Sequence, residues 1–292
     1  MGRRNRLSEL VRCCLTLISP ELNTKALYYS RFHKRLDLKH PRTLNEKILW
    51  LKLNTYGNDP LVKRCADKYR VREYLREKGL SELLTPLIGV YDHIEDIPWD
   101  ALPERFVLKL NVGCGCNLVV RDKSRLDIEA AKRTMGKWMK SQFWMQASEL
   151  QYKNTKRCIL IEEFLGGEDG SLPVDYKFHC MNGRSRYVMV CMGRGTQTGL
   201  KLYYFDRNWT LEPITQEGID DKDKIIPKPE NIEQAFAYAE KLSKDFPYVR
   251  VDFYLVNGRI YFGELTFTPS AGMSPHILPE QDRRLGDELL LP

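Results

Sequence analysis

The sequence predicts an α+β fold, with a helical N-terminal segment followed by two subdomains built mostly from antiparallel strands. Three observations carry this. Helix-start signals concentrate before residue 80, short strand-length apolar runs separated by turn residues dominate after it, and regular strand–helix alternation is missing. Three blocks result: a helical segment 1–80, a small subdomain 81–156 around a Gly-rich loop, and a C-terminal subdomain 157–292 around a hairpin.

In the first block, Thr43-Leu44-Asn45-Glu46 is a capping-box pattern that opens the run Ile48, Leu49, Leu51, Leu53. Asp59-Pro60 starts a second helix, expected to run on through Val62, Ala66, Tyr69 and Tyr74 to Gly79. In the second block Thr85 to Tyr91, Arg105 to Leu110 and Asn117 to Arg121 read as strands. Asp127 then caps a helix reaching about Lys140. The third block opens with the buried-strand run Cys158 to Ile161. Strands Val174–Met181 and Arg186–Met192, joined at Asn182-Gly183, follow, and then Leu202–Phe205. A helix from Asn231 carries Ala235, Phe236, Ala239 and Leu242, and the hairpin Val249–Val256/Arg259–Thr266 closes the block.

A chain of 292 residues buries roughly 75% of its unfolded surface, so neither disulfides nor a structural metal are needed. Charged residues at 29% and aromatics at 11% exclude disorder. No apolar run approaches the ~20 residues of a membrane span, and no signal-peptide pattern follows Met1. The expectation is a cytoplasmic protein. Its net charge of +7 sits wholly in residues 1–50, which hold 11 Lys+Arg against 4 Asp+Glu. A nucleic-acid binder spreads basic residues through its folded domain, so no nucleic-acid partner is expected. The pattern suits peripheral contact with an anionic inner-membrane face or a lipid-linked acidic glycan, the competing reading being a solvated helix face. The eight cysteines lack paired CxxC spacing and read as idle thiols; Cys114-Gly115-Cys116 offers a soft metal only two ligands.

Four motifs can carry chemistry. In Tyr248-Val249-Arg250-Val251-Asp252-Phe253, Arg250 and Asp252 share the face opposite the apolar residues. The return strand adds Glu264 and, two residues on, the Thr266 hydroxyl, an oxygen-rich set suited to Mg2+. A two-residue Asn257-Gly258 turn pairs Asp252 with Gly263 and sends Glu264 to the other face, whereas a three-residue bulged loop makes Asp252 and Glu264 same-face diagonal neighbours. A shared metal therefore calls for the longer loop, and a surface salt bridge to Arg250 is the plain alternative. Second, Lys109 ends an apolar strand that enters Gly113-Cys114-Gly115, where glycines would let backbone N–H groups approach phosphate; neither the Walker nor the dinucleotide pattern is met. Third, Ile159 to Glu168 is an apolar strand that ends in Glu162-Glu163 and opens through Phe164-Leu165 into glycines, an exit able to offer backbone groups to an adenine and a carboxylate to a ribose. Fourth, Asp175, Lys177 and Arg194 lie on the following strands, while His179 reads as structural.

The order of these elements resembles the ATP-grasp superfamily, including its D-alanine–D-alanine ligase branch. From about Leu15 to the end, the chain is most similar to the TupA-like (teichuronopeptide biosynthesis) ATP-grasp proteins. The motifs are Leu44-Asn45-Glu46-Lys47, Ala66-Asp67-Lys68-Tyr69-x-Val71-Arg72-Glu73-Tyr74, Asp175-Tyr176-Lys177-Phe178, Arg250-Val251-Asp252, and Tyr261 through Pro269. The resemblance implies an ATP-grasp fold, two α+β subdomains clasping ATP. By the same resemblance Lys68, Lys109 and the Gly113–Gly115 loop would hold the phosphates, with the Glu163–Leu165 backbone on adenine and Glu168 on ribose. Glu162 and Asp175 complete that nucleotide-binding set. Asp252, Glu264 and Thr266 would hold two Mg2+ ions, Arg250 would stabilise the reacting centre, and Lys177 and Arg194 would face phosphate and substrate. Thr266 stands where the superfamily often has Asn, and Cys114 where the loop usually has Ser.

The implied activity is ATP-dependent carboxylate–amine ligation through an acyl-phosphate. The resemblance points to a uronic-acid-containing glycan or precursor and an amino acid or small amine, joined in capsule or cell-wall polysaccharide synthesis. The alternatives are a kinase using the same ATP site and a non-catalytic glycan- or membrane-binding protein.

Overall fold

The computed structural model describes residues 3–167, 170–193 and 199–292. Its N-terminal third is helical. Helix α1 spans Arg3–Ile18 and α2 Pro20–Phe32, with Ser19 Oγ accepting from the Leu22 N–H at 3.2 Å. Helix α3, Leu44–Leu51, starts at the expected reciprocal Thr43/Glu46 cap and continues as a π-helical turn over Lys52–Tyr56.

The single helix expected from Pro60 to Gly79 is two. Helix α4 covers Pro60–Ala66, Asp67 is extended at φ −84°, ψ 117°, and α5 covers Val71–Glu77. The cause is a competing set of hydrogen bonds. Asp67 Oδ1 accepts the N–H groups of Tyr69 and Arg70, while Oδ2 accepts the Asn111 amide at 2.8 Å.

Two antiparallel sheets follow. Strands β1 (Leu87–Tyr91), β2 (Phe106–Leu110), β3 (Asn117–Val120) and β4 (Ile159–Glu163) form one, in the order β1-β4-β2-β3. Helices α6 (Ile128–Lys140) and α7 (Phe143–Ala147) lie between β3 and β4 in the chain. Although β4 follows residue 157, it pairs with β1 and β2, so the division between the sheets falls after Glu163.

The second sheet has the order β10-β9-β5-β6-β7-β8. Its strands are β5 (Asp175–Met181), β6 (Arg184–Met192), β7 (Lys201–Asp206), β8 (Leu211–Glu212), β9 (Tyr248–Val256) and β10 (Arg259–Thr266). Helix α8 is Gln216–Asp220, and α9, Ile232–Ser243, lies on β5, β6 and β9 through Ala235, Phe236, Ala239 and Leu242, all fully buried. Phe236 meets Phe178 of β5 edge-on at 4.9 Å, and each such burial contributes about 1.5–3 kcal/mol. The last helix, α10 (Pro279–Glu288), packs on α3, where Asp282 accepts both the backbone and side-chain N–H of Asn45. With α9 covering one face of the sheet, the facing side chains of β5, β9 and β10 are left for other work.

Candidate functional site

The hairpin register differs from both sequence alternatives. Its turn is the tight two-residue one, Asn257 at φ 50° and Gly258 at φ 74°, which the right-handed twist of the strands favours. Val256 therefore faces Arg259, and Phe253 faces Phe262. The ladder then skips Gly263, and Asp252 faces Glu264 directly. A signal for this lies in the sequence. The buried residues Ile260, Phe262, Leu265 and Phe267 alternate in twos except for one step of three across Gly263, as an extra residue requires.

Around this pair the structure gathers side chains from three parts of the chain. Asp252, 3% exposed, accepts from Arg250 through both oxygens at 2.7 Å and from Lys177 of β5 at 2.5 Å. Glu264 Oε1 accepts the Thr266 hydroxyl at 2.9 Å, and Oε2 lies 3.3 Å from Lys68 Nζ. Arg250 Nη2 also donates to Thr266 at 3.1 Å, and Asp175 lies 3.6 Å from Lys177. Three cations thus balance three carboxylates. Burial is the largest single influence on Lys177 and acts to discharge it, but the Asp252 carboxylate, joined by Asp175, holds the ammonium above its ordinary pKa. Glu264 is likewise opposed by burial, and Lys68, Arg250 and Lys177 together pull its carboxyl down to about 2. Arg250 is therefore enclosed by the cluster, its side chain 12% exposed, and its pair with Asp252 is not the surface salt bridge that the sequence also allowed.

Lys68 reaches the cluster because the chain breaks at Asp67. Its backbone N–H donates to the Asn111 carbonyl, and its ammonium to the Gly113 carbonyl at 2.8 Å. The Gly-rich loop is held open by positive φ at Gly113 (82°) and Gly115 (74°), and a Cβ on Gly113 would stand 3.1 Å from the Phe143 ring.

A cleft of about 410 Å3 runs between the two sheets, a size suited to a small-molecule ligand. Lys109, Glu162, Glu163, Phe164 and Leu165 line one wall, and Asp175, Cys191, Met192 and Tyr254 the other. Asp175 and Tyr254 are a cross-strand pair two residues along from Lys177 and Asp252, so the cluster continues the floor of the cleft. Lys109 donates to Glu162 at 2.5 Å, and Glu162 also lies 3.5 Å from Arg72. A second, small cavity of about 50 Å3 meets Arg250 beside Ser270, Ser274 and His276.

The residues picked from the sequence thus fall into one cluster (Lys68, Asp175, Lys177, Arg250, Asp252, Glu264, Thr266), one cleft wall (Lys109, Glu162 to Leu165) and the adjoining glycine loop. Glu168 and Arg194 lie outside the described residues. His179 is structural, as read. It is buried between Tyr248 and Tyr204, and burial followed by the charges of Arg250 and Lys177 lowers its pKa to about 3. Sequence reasoning missed Asn111, which braces Asp67, and the Thr268 hydroxyl, which donates to Glu149 at 2.6 Å and accepts from Gln151 at 2.9 Å just beyond Thr266. An aspartate inside a helical run was the available signal for the first; the second has none.

The donor set fits a hard divalent cation. Asp252, Glu264 and Thr266 offer only oxygen, and the cations now beside them mark where positive charge is favoured. Among the described residues no three His, Cys, Asp or Glu side chains converge as a metal group, so the other ligands of a Mg2+ ion would come from phosphate and water.

The TupA-like ATPgrasp family model matches residues 46–290. The chain belongs to the TupA-like ATP-grasp family. Its α+β architecture is accordingly the ATP-grasp fold, preceded by helices. No match was found among curated proteins. Among solved structures, the chain is similar to the ATP complex of D-alanine–D-alanine ligase from Bacillus anthracis, with 18% identity and TM-score 0.48, covering 76% of this chain and 61% of that one. It is similar also to N5-carboxyaminoimidazole ribonucleotide synthetase in its ADP complex, with 15% identity and TM-score 0.46, covering 75% and 49%. A third is phosphoribosylamine–glycine ligase from Thermotoga maritima, with 15% identity and TM-score 0.45, covering 80% and 55%. The TupA-like chain thus spans about three fifths of the first of these proteins and about half of the other two.

Proposed function

We propose that this protein is an ATP-dependent carboxylate–amine ligase, joining an amino acid or small amine to a uronic acid during capsule or cell-wall polysaccharide synthesis. The observation that carries the ligase reading is the bulge-set pairing of Asp252 and Glu264 beside Arg250, Lys177 and Lys68 at the floor of a ligand-sized cleft. The sugar acid and the glycan setting rest on the family alone.

In this reading the backbone of Glu163 to Leu165 holds adenine. Lys109, aimed by Glu162, and Lys68, aimed by the Gly113 carbonyl, take the phosphates. Asp252 and Glu264, assisted by Thr266, would hold Mg2+, which when bound would supply neutralising charge to the phosphates. A free carboxylate is a poor electrophile. Phosphorylation converts one of its oxygens into a leaving group; the amine then attacks, the amide forms and phosphate departs. Arg250, fixed by Asp252 and Thr266, is preorganised for the negative charge that develops on the way. The small cavity beside it would admit the carboxylate, and Lys177, donating to Asp252, fixes the orientation of that carboxylate.

The test is Mg2+-dependent ADP release with uronic acids and a pool of amino acids, for wild type and Glu264→Ala. Release that needs both substrates and is lost in the variant supports ligation. Release that needs a sugar but no amine, with a phosphorylated product, means a kinase, and absence of ATP binding overturns the site.

A further inference from the structure

Helix α1 is amphipathic in the reverse of the usual sense. Its inward side is polar. Thr16 donates to the Met145 carbonyl at 2.7 Å and meets Ser148 at 2.8 Å, Asn23 of α2 donates to Thr16 at 2.8 Å, and Gln146 reaches the Cys13 thiol. These bonds fasten α1 to the α7 region. Its outward side is apolar: Leu7, Leu10, Val11, Leu17 and Ile18 are 65, 61, 49, 66 and 77% exposed. At helical spacing these five fall within an arc of about 120°. Leu22 and Tyr29 of α2, seven residues apart and so on one face of that helix, are 48 and 58% exposed. A surface helix normally turns such a stripe inward, and a stripe of this kind facing out marks an interaction site.

We infer that this face docks the protein onto the surface of an anionic lipid bilayer. Charge selects the occupant. Residues 1–50 carry the whole positive surplus of the chain, and α1 itself begins Arg3-Arg4-Asn5-Arg6. A second copy of the chain would bring two such surpluses together, whereas acidic headgroups attract them. Leucine and isoleucine side chains on a helix lying in the interface sink into the headgroup–acyl boundary, and the arginines stay at the phosphate level. No helix among the described residues is long and apolar enough to cross a membrane, so the contact lies on the surface. The inference stands apart from the ligase reading, since it rests on α1 and not on the cleft.

The experiment is flotation of the full chain, without nucleotide or substrate, on vesicles of phosphatidylcholine alone or with phosphatidylglycerol. Wild type should float with the anionic vesicles only, and less so as salt rises. Leu10→Glu/Leu17→Glu should bind at least about tenfold more weakly, and Arg4→Glu/Arg6→Glu should lose the preference for anionic lipid. The leucine pair should keep the wild-type melting temperature, because Leu10 and Leu17 are exposed, and the melting temperature of the arginine pair is measured beside its flotation. No binding to anionic vesicles, or equal binding by the leucine variant, overturns the inference. So does a wild-type dimer that the leucine variant converts to monomer, which would make the face a contact between copies.

Discussion

Asp252 and Glu264 stand directly across the β9–β10 ladder although a regular hairpin with this turn would pair Asp252 with Gly263. The extra residue keeps Phe262 and Leu265 buried while both carboxylates share one face. The two nevertheless differ in surroundings, since the Asp252 side chain is 4% exposed and that of Glu264 32%.

That difference separates stability from activity. Asp252→Asn strands the Lys177 and Arg250 charges in the interior and should destabilise the fold by about 3–5 kcal/mol. Glu264→Gln should cost less, about 1.5–3 kcal/mol, since its own side chain is 32% exposed and Arg250 and Lys177 keep Asp252 as a partner. Both should abolish Mg2+-dependent ADP release. Urea unfolding at neutral pH beside the ADP assay tests the contrast.

Acid should weaken the fold in two stages. His179 stays neutral when folded, with a pKa of about 3 against 6.5 unfolded. Its contribution is complete above pH 6.5 and is lost as the pH falls toward 3, by at most about 1.4 kcal/mol per pH unit. Glu264, held at about 2 against 4.5, adds a loss only below about pH 4.5. Urea midpoints at pH 7.5 and 5.5 should therefore differ in wild type and differ less in His179→Gln. An unchanged difference in the variant would remove His179 from the account.

Lys68 is positioned by the Gly113 carbonyl and Glu264, and nothing in the core depends on its side chain. Lys68→Ala should weaken ATP binding about ten- to a hundredfold, the worth of one charge-assisted hydrogen bond, with the melting temperature nearly unchanged. Calorimetric titration with ATP and Mg2+ checks it.

Asn111 joins three segments: its amide donates to Asp67 and to the Lys156 carbonyl, and its Oδ1 accepts the Cys158 N–H. Asn111→Ala should cost about 2–3 kcal/mol by leaving buried groups unpaired. Because Asp67 sets the course of the chain into Lys68, ATP affinity should fall as well. A variant that loses stability but binds ATP as wild type does would separate the brace from the site.

Much of this architecture is legible from local pattern. The Thr43/Glu46 cap, the Asp59-Pro60 helix start and the apolar alternation of β9 each depend on neighbours a few residues away, and each forms as read. The basic surplus before residue 50 is likewise a property of the sequence. The dispersed motifs from Lys68 to Thr266 named the family because their order survives without knowledge of their distances.

Tertiary structure decided the rest, wherever distant groups overrule a local preference. The helix across Asp67 is broken by an amide 44 residues away. Strand β4 joins the earlier sheet because its partners β1 and β2 already present their edges. The hairpin takes its bulge because the apolar residues on both sides of Gly263 must be buried on one face with Val251 and Phe253, a demand that a turn motif cannot express. Helix α1 turns its leucines outward because the polar groups Thr16, Asn23 and Ser148 find one another inside. A sequence specifies which groups can pair within a few residues; burial settles which pairings across the chain are worth the loss of water.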